Sequence, residues 1–301
     1  MKLITVIYHS GDFDGIFCRE IARRFLGDKG VTYIGWNFGD KPLENLAADE
    51  CYVMDLPCDE PFGTKGKLPW MVYCNLIWID HHKSSIESHP KDIPGYRIDG
   101  VAACRLAWQW FSVIQKLGDG AGYPSESTLA TKLHFVQRRV VEPLAVCLAG
   151  EYDVWDKRDP SAELMQYGLR TYEDQSKKIA DVISCESDLD AVLNRGAVAQ
   201  QYARNVDAGN MKASFVVGWE ELKFLCLNGR GNSNTFISRD VPETGHDALL
   251  MFYFNGTRWV VSLYHSKHRT DLDLSKIAVK YGGGGHRGAC GFTCGVLPFL
   301  Q

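Results

Sequence analysis

The fold of this 301-residue chain is decided by residues 3–15, LITVIYHSGDFDG. Residues 3–8 form a nearly continuous apolar run, which is typical of a strand buried on both faces. A polar, glycine-containing loop follows, and residues 16–26 then space apolar side chains at the period of a helix. The segment therefore predicts a strand, a polar loop and a helix in succession.

The same alternation continues along the first half of the chain. The apolar pattern predicts further strands at residues 31–36, 51–54 and 76–79, and helices at residues 101–117, 126–141 and 143–148. Strand, helix, strand repetition of this kind indicates a mostly parallel sheet flanked by helices. We therefore predict an α/β fold in which residues 1–190 form the N-terminal domain.

The second half of the chain has a different pattern. Residues 160–210 are polar and helical in character, which predicts a helical connector that ends at about residue 211. Four apolar runs follow at residues 214–219, 223–227, 248–254 and 258–265, and residues 274–280 are predicted to form a helix. These features predict a smaller C-terminal α+β domain at residues 212–301.

The composition is that of an ordinary globular protein, with 45% apolar and 23% charged residues. A formal charge of −4 gives no broad basic face, so we expect no binding to long duplex nucleic acid. The ten cysteines include no CxxC pair, which argues against a zinc site and against a disulfide framework. Since no apolar stretch reaches membrane-spanning length, these features predict a soluble cytoplasmic protein with no membrane partner.

Polar side chains collect where three of the predicted strands end. They are His9, Asp12 and Asp14 after the first strand, Asp55 after the third, and Asp80, His81 and His82 after the fourth. Because the carboxyl ends of strands in an open α/β sheet converge on one crevice, we expect these residues to face the same cleft. A divalent cation would relieve the repulsion between clustered carboxylates. Oxygen and imidazole ligands suit manganese, magnesium, iron or zinc.

The spacing of the carboxylates fits a pair of cations. Asp12 and Asp14 lie two residues apart, so each could serve a different ion, and Asp55 could bridge both. Two ions held in this way can activate water for a phosphoryl displacement. The alternative is structural, since Asp12 or Asp14 could cap the helix that follows and His81 and His82 could lie in a solvated loop.

The motifs HSGDFDG, VMD and IDHHKS resemble those of the DHH phosphoesterase superfamily, named for the triplet at Asp80, His81 and His82. A further family motif matches GEYDVWD, where Asp153 is the counterpart of the family's aspartate and Asp156 is the alternative. The segment YGGGGHRGACGF at residues 281–292 resembles the glycine-rich end of the family's C-terminal, DHH-associated domain. The resemblance covers nearly the whole chain.

The resemblance implies a ligand set for two divalent metal ions. One ion would be held by His9, Asp12 and Asp55, and the second by Asp14, Asp55, His81 and Asp153. Asp80 would orient a histidine ligand, and His82 would contact the scissile phosphate or assist proton transfer. Manganese is the family's usual cofactor, and nothing in this sequence selects it over magnesium.

The glycine-rich segment is the predicted substrate-binding element. Consecutive glycines let the backbone approach a ligand closely and expose N–H groups to anions. The candidate residues in this segment are Gly283, Gly284, Gly285, His286 and Arg287. The alternative is a tight turn between a helix and the last strand.

Tyr264 is a departure from the family pattern. Many relatives carry an arginine at this position that grips the substrate phosphate, and a tyrosine cannot form such a bidentate clamp. Tyr264 could instead stack on a base or donate a hydrogen bond. Lys267, His268 or Arg269 could supply the missing charge.

These features together predict a metal-dependent, oligoribonuclease-like phosphoesterase that acts on short oligonucleotides, cyclic dinucleotides or nucleotides. Two alternatives stay open. One is a manganese-dependent inorganic pyrophosphatase, which shares the N-terminal motifs but has a different C-terminal domain. The other is a non-catalytic module that binds nucleotides or nucleic acid. The sequence does not fix the oligomeric state, and a homodimer is an alternative to a monomer.

Overall fold

The chain forms two compact units, Met1–Ala199 and Gln200–Gln301, in the computed structural model. The residues that the structure describes are 2–44, 46, 48–64, 75–117, 135, 141–156, 158–231, 233–237 and 245–300. The predicted helix at residues 126–141 lies almost entirely outside the described residues. The division between the units falls inside a long helix, and each unit is described separately below.

A four-stranded parallel sheet forms the centre of the first unit. Its strands are β1 (Ile4–His9), β2 (Val31–Trp36), β3 (Glu50–Met54) and β4 (Asn75–Ile79), in the order β2-β1-β3-β4. Every residue of β3 is buried, which is typical of a strand covered on both faces of a parallel sheet. Because all four strands run the same way, their carboxyl ends lie at one edge of the sheet.

Within the described residues, seven α-helices belong to the first unit or extend from it. They are α1 (Phe13–Leu26), α2 (Lys83–Ser88), α3 (Ala103–Leu117), α4 (Leu144–Asp153), α5 (Ser161–Leu169), α6 (Gln175–Ser184) and α7 (Glu186–Asn210). The larger core cluster includes Phe17 of α1, Tyr52 and Ile79 of the sheet and Trp110 of α3. A second cluster forms around Trp78 and contains the strand residues whose side chains point to the opposite face of the sheet. The sheet is therefore buried on both faces.

The ends of α1 show how the sequence sets the helix that follows the first strand. Asp12 is its N-cap and accepts a hydrogen bond from the backbone N–H of Gly15, at 3.1 Å. At the other end Gly27 has a positive φ of 72°, which a glycine adopts without strain. The cap that the sequence offered as an alternative for Asp12 is thus present, and it uses the carboxylate's Oδ1 only.

The second unit is built on a mixed six-stranded sheet. Its strands are β5 (Phe215–Trp219), β6 (Leu222–Asn228), β7 (Ala248–Phe254), β8 (Trp259–His265), β9 (Gly284–His286) and β10 (Ala289–Cys294), in the order β5-β6-β7-β8-β10-β9. Only the β6–β7 pair is parallel among these neighbours. Two short α-helices, α8 (Ser233–Ile237) and α9 (Ser275–Lys280), accompany the sheet in the described part of this unit.

The predicted fold class is confirmed: a parallel sheet flanked by helices, a helical region and a C-terminal sheet domain. Strand β9 was not predicted, because a run of glycines carries no side-chain pattern from which pairing can be inferred. Among the described residues no helix is long and apolar enough to cross a membrane.

Candidate metal centre

The end of β1 brings an imidazole close to two carboxylates. Nδ1 of His9 lies 3.1 Å from Oδ2 of Asp12 and 3.5 Å from Oδ2 of Asp55. His9 is the last residue of β1, and Asp55 directly follows β3, the neighbouring strand. These three residues form a group of potential metal ligands, called here the His9 group.

The end of β4 brings a second imidazole to a second set of carboxylates. Nε2 of His81 lies 3.3 Å from Oδ1 of Asp55, 3.3 Å from Oδ2 of Asp153 and 3.7 Å from Oδ2 of Asp14. His81, Asp14 and Asp153 form the second group, called here the His81 group. Oδ2 of Asp55 faces His9 and Oδ1 of Asp55 faces His81. One carboxylate therefore contacts the imidazoles of both groups.

Asp55 has an uncommon backbone conformation at this central position. Its φ is 59°, in the left-handed region, and its N–H donates to the carbonyl of Ile79 at 2.9 Å. Aspartate tolerates this region better than most residues with a side chain, at a cost of about 1–3 kcal/mol. The turn after β3 thus aims the carboxylate into the edge of the sheet instead of continuing the strand.

Asp14 is held by a partner that lies far away in the sequence. Its Oδ2 accepts the N–H of Ala103 and its Oδ1 accepts the N–H of Cys104, both at 2.8 Å. These N–H groups belong to the start of α3, where the helix has free donors and a positive end. Asp14 is 3% exposed, so α3 offsets part of the cost of burying its charge.

Asp80 is linked to the site through His82. Oδ1 of Asp80 lies 2.7 Å from Nδ1 of His82 and also accepts the N–H groups of His81 and His82. Nδ1 of His82 is 4.0 Å from Oδ1 of Asp55, and Asp55, His81 and His82 form a third potential grouping. The 2.7 Å contact identifies Asp80 as the principal partner of the His82 ring.

Asp153 and Asp156, the two candidates in GEYDVWD, differ in their surroundings. Asp153 ends α4 and joins the His81 group. Asp156 pairs with Arg158, whose Nε lies 3.0 Å from Oδ1 of Asp156. The geometry therefore selects Asp153 as the member of the cluster.

No family model matches the chain, and no curated protein matches it significantly. Solved structures do match. The DHH domain of a protein from a family of ribosomal proteins is 12% identical, with 96% of this chain and 82% of that chain covered and a TM-score of 0.53. The chain has a DHH-domain fold.

Two RecJ structures also match this DHH fold. RecJ in complex with Mn²⁺ from Thermus thermophilus is 14% identical, with 97% of this chain and 49% of that chain covered and a TM-score of 0.51. An exonuclease RecJ bound to manganese is 15% identical, with 97% and 85% covered and a TM-score of 0.50. At these identities the likeness establishes the fold alone.

The protonation of the DHH-fold cluster reflects its crowding. Burial and the charge of Asp55 raise the pKa of Asp14 to about 7, and burial and the charge of Asp14 raise the pKa of Asp153 to about 7. Burial would lower the pKa of His9 and His81, but the neighbouring carboxylates outweigh it and raise each to about 10. In the absence of metal, protons therefore balance the carboxylates, and a cation would replace them.

Unsatisfied atoms provide a direct test of whether the cluster suits a metal. In the described part of the chain, Nδ1 of His9, Oδ2 of Asp55 and Oδ2 of Asp80 are buried and form no hydrogen bond of good geometry. Buried polar atoms left in this state are costly unless a ligand engages them. Two of the three belong to the His9 group, and their imidazole and carboxylate chemistry fits a divalent cation.

The glycines predicted to bind substrate have different structural environments in the second unit. A Cβ on Gly283 would lie 2.0 Å from the carbonyl oxygen of Gly291, so the packing itself requires glycine there. Gly285 has a φ of 126°, a conformation that favours glycine. A Cβ on Gly284 would meet nothing within 4 Å, so neither packing nor φ requires glycine at that position.

His286 and Arg287 differ in how far their side chains are engaged. His286 ends β9 and is exposed. Arg287 donates from Nε to the carbonyl of Leu272 at 3.0 Å, and from a terminal nitrogen to the carbonyl of Asp271. Arg287 thereby holds the segment before α9, and a contact with substrate stays a prediction.

Tyr264 is half-buried on β8, where it packs against a cluster that includes Leu249 and Met251. Burial raises the pKa of its phenol above the ordinary value. The ring therefore has a packing role. Its predicted contact with substrate stays a prediction.

The three residues proposed to replace the missing arginine charge are not equivalent. Arg269 is paired with Asp247 and Asp271, at 2.8 and 3.0 Å. His268 lies with Nε2 2.8 Å from the carbonyl of His246. Lys267 is exposed and has no ion pair within the described residues. Of the three side chains it is therefore the one least engaged by neighbouring groups.

Proposed function

We propose that this chain is a metal-dependent phosphoesterase that hydrolyses phosphate esters of short oligonucleotides, cyclic dinucleotides or nucleotides. The observation that carries the proposal is the position of Asp55, which offers one carboxylate oxygen to the His9 group and the other to the His81 group. This arrangement suits a shared ligand between two cations. Manganese is the first choice of metal, supported by the Mn²⁺-bound RecJ structures of the same fold, with magnesium as the alternative.

The proposed ligand sets follow the two groups. His9, Asp12 and Asp55 would hold one cation, and Asp14, Asp55, His81 and Asp153 would hold the other. A pair of divalent cations supplies Lewis-acid activation of water and stabilisation of charge on the phosphoryl group. The start of α3 would keep Asp14 in place through the N–H groups of Ala103 and Cys104.

His82 is proposed to act on the substrate. Burial would lower its pKa, but the Asp80 carboxylate outweighs burial and raises it, so the ring holds a proton over more of the neutral range. With Nδ1 donating to Asp80, Nε2–H is the group available to a phosphate oxygen or to the leaving oxygen. His82 would therefore bind the phosphate or donate a proton, and Asp80 would orient it.

The remaining predicted residues are assigned to the non-reacting part of the substrate. Exposed His286 and the open backbone at Gly284 favour contact with a phosphate or a base. Gly283, Gly285, Arg287 and Tyr264 would shape this element through their packing and hydrogen bonds. A cytoplasmic location is part of the proposal, since nine cysteines of the described residues are free thiols and such thiols persist in reducing compartments.

The proposal is tested by assaying the purified protein with Mn²⁺ against three substrates: pyrophosphate, a short RNA and a cyclic dinucleotide. We expect turnover of one or both nucleotide substrates, and loss of it on metal removal. Turnover of pyrophosphate alone would favour the pyrophosphatase. Binding of nucleotides without turnover would favour the non-catalytic module.

Asp55→Asn is the matched variant for this assay. Asparagine keeps the shape of the side chain and tolerates positive φ, but it can no longer bridge two cations as an anion. We expect at least about a hundredfold loss of turnover and of metal affinity, with an unchanged fold. This loss is larger than the loss expected when a residue that only orients a metal ligand is replaced. Retention of wild-type turnover would contradict the shared-ligand role.

A further inference from the structure

An exposed aromatic ring stands beside the metal centre and has no part in the proposed chemistry. Phe38 is 54% exposed, and its ring centroid lies 5.7 Å from that of His9, at an interplanar angle of 66°. It also meets the buried ring of Trp36 in an edge-to-face arrangement, at 6.0 Å between ring centroids. A phenyl ring has no polar atom with which to bind a cation or a phosphate.

The loop that carries Phe38 is a defined turn. Asn37 donates its N–H to Oδ2 of Asp40 at 2.8 Å, and the N–H of Asp40 donates to the carbonyl of Asn37 at 2.9 Å. Gly39 has a φ of 94°, which is typical of the third position of a type II turn. Phe38 therefore occupies the second position, at the tip.

This turn is also tied to the loop that carries the metal-site residues. The Ser10 hydroxyl donates to Oδ1 of Asn37 at 3.2 Å, and the Ser10 N–H donates to the carbonyl of Trp36 at 3.3 Å. Ser10 lies between His9 and Asp12 in sequence. The turn that carries Phe38 is thus held next to the loop that carries residues of the His9 group.

We propose that the exposed face of Phe38 stacks on a nucleobase of a substrate whose phosphate lies at the metal centre. This inference rests on the proposed function and names the side chain that would recognise the base of its substrate. Within a nucleotide a single sugar joins base and phosphate, so a ring adjacent to a metal-site imidazole lies within reach of the base. Aromatic side chains bind bases of any sequence through their π-faces.

A purely inorganic substrate gives this ring nothing to bind. Pyrophosphate and longer polyphosphates have no apolar face, so an exposed phenyl group beside their phosphates would only exclude water. The competing explanation is structural, since Phe38 also packs against Trp36. The two explanations differ in whether the ring distinguishes substrates with a base from substrates without one.

The test compares two substrates that differ only in their bases: a linear adenine dinucleotide and the same backbone with abasic sugars, both assayed with Mn²⁺. The readout is the ratio of kcat/KM for the first substrate to that for the second. In Phe38→Leu we expect this ratio to fall about tenfold, within the range of a lost base–aromatic stack. Phe38→Trp is expected to restore the ratio.

Leu3→Ala is the control, because Leu3 is also exposed and apolar but precedes β1 at its opposite end. It is expected to leave the ratio at the wild-type value. A ratio in Phe38→Leu equal to that of the wild type would overturn the stacking proposal, even if both rates fall, because a structural role lowers both together.

A separate binding measurement distinguishes failure of this inference from failure of the proposed function. A wild-type protein that hydrolyses neither of these dinucleotides, nor the short RNA and the cyclic dinucleotide, contradicts the phosphoesterase. Binding of a non-hydrolysable phosphonate analogue of each dinucleotide then decides the stacking. The stacking proposal is supported if Phe38→Leu weakens binding of the adenine analogue about tenfold more than binding of the abasic analogue. Equal weakening of both analogues overturns it.

Discussion

The Nδ1 atom of His82 lies 2.7 Å from Oδ1 of Asp80, which is fully buried. Because a carboxylate accepts hydrogen bonds, this contact requires a hydrogen on Nδ1 and so sets the tautomer of the ring. The same Asp80 oxygen accepts the backbone N–H of His82 at 3.3 Å. The family resemblance implies that Asp80 orients a metal-ligating histidine. In the structure Asp80 instead contacts the ring of His82, which lies outside the two proposed ligand sets, and reaches His81 through its backbone N–H only.

Asp80→Asn is expected to lower kcat about 10- to 100-fold while two cations remain bound, because the amide no longer fixes the His82 tautomer. His82→Ala should lower kcat at least as much. The double variant should be no slower than His82→Ala, since both residues act through one ring. Additive losses in steady-state kinetics, or loss of metal from Asp80→Asn, would contradict this relationship.

Metal binding should strengthen with pH between about 6 and 8. Asp14 and Asp153, each with a pKa raised to about 7, are mostly protonated at the lower pH and ionised at the higher. For the metal-free protein the raised carboxyl pKa values stabilise the fold most at low pH. That contribution is lost as the pH rises through 7.

His9 and His81, with pKa values of about 10, act in the same direction over this range. Their folded-state protons stabilise the metal-free protein below the unfolded pKa of 6.5, and this contribution is lost as the pH rises toward 10. Mn²⁺ should therefore raise Tm more at about pH 8 than at about pH 6. Thermal unfolding with Mn²⁺ or with chelator tests this, and an equal or larger Mn²⁺ shift at the lower pH would argue against the metal ligands.

Gly283→Ala and Gly284→Ala form a matched pair. The first places a Cβ 2.0 Å from the carbonyl oxygen of Gly291 and should destabilise the protein by about 1–3 kcal/mol, as overpacking does. The second meets open space and should change stability by less than about 0.5 kcal/mol. If a ligand approaches the backbone here, Gly284→Ala lowers activity at unchanged Tm. Wild-type kinetics in Gly284→Ala would remove Gly284 from the binding element.

His286→Ala should raise KM for a nucleotide substrate roughly tenfold without changing the Mn²⁺ affinity. The imidazole is exposed at the end of β9, so its loss removes no packing. Steady-state kinetics and metal titration of the same preparation check both parts. Loss of metal from this variant would place His286 at the metal centre instead.

Much of the first unit was predictable because most residues of β1, β3 and β4 are buried, whichever face of the sheet they point to. Continuous apolar runs gave the strands, and their ends gave His9, Asp55 and His81 as neighbours, since parallel strands share one carboxyl edge. The structure brings these residues together as that argument requires. Asp153 was proposed from the family resemblance alone, because nothing in its helical context indicates that it joins the cluster.

Other features depend on contacts that no local pattern reveals. Asp14 is held by Ala103 and Cys104, about ninety residues away, through backbone N–H groups that any residue type supplies. The φ of Asp55 and the exposure of Phe38 arise from the turns that follow β3 and β2. Strand β9 is formed largely by glycines, which have no side chain to show pairing.

Anomalous diffraction from crystals grown with Mn²⁺ shows directly whether Asp55 lies between two cations. We expect two manganese peaks about 3.5–4 Å apart, each within bonding distance of a different Asp55 oxygen. One peak should adjoin His9 and Asp12, and the other Asp14, His81 and Asp153. An absence of peaks in this cluster, or a single ion that leaves one Asp55 oxygen free, would contradict the account.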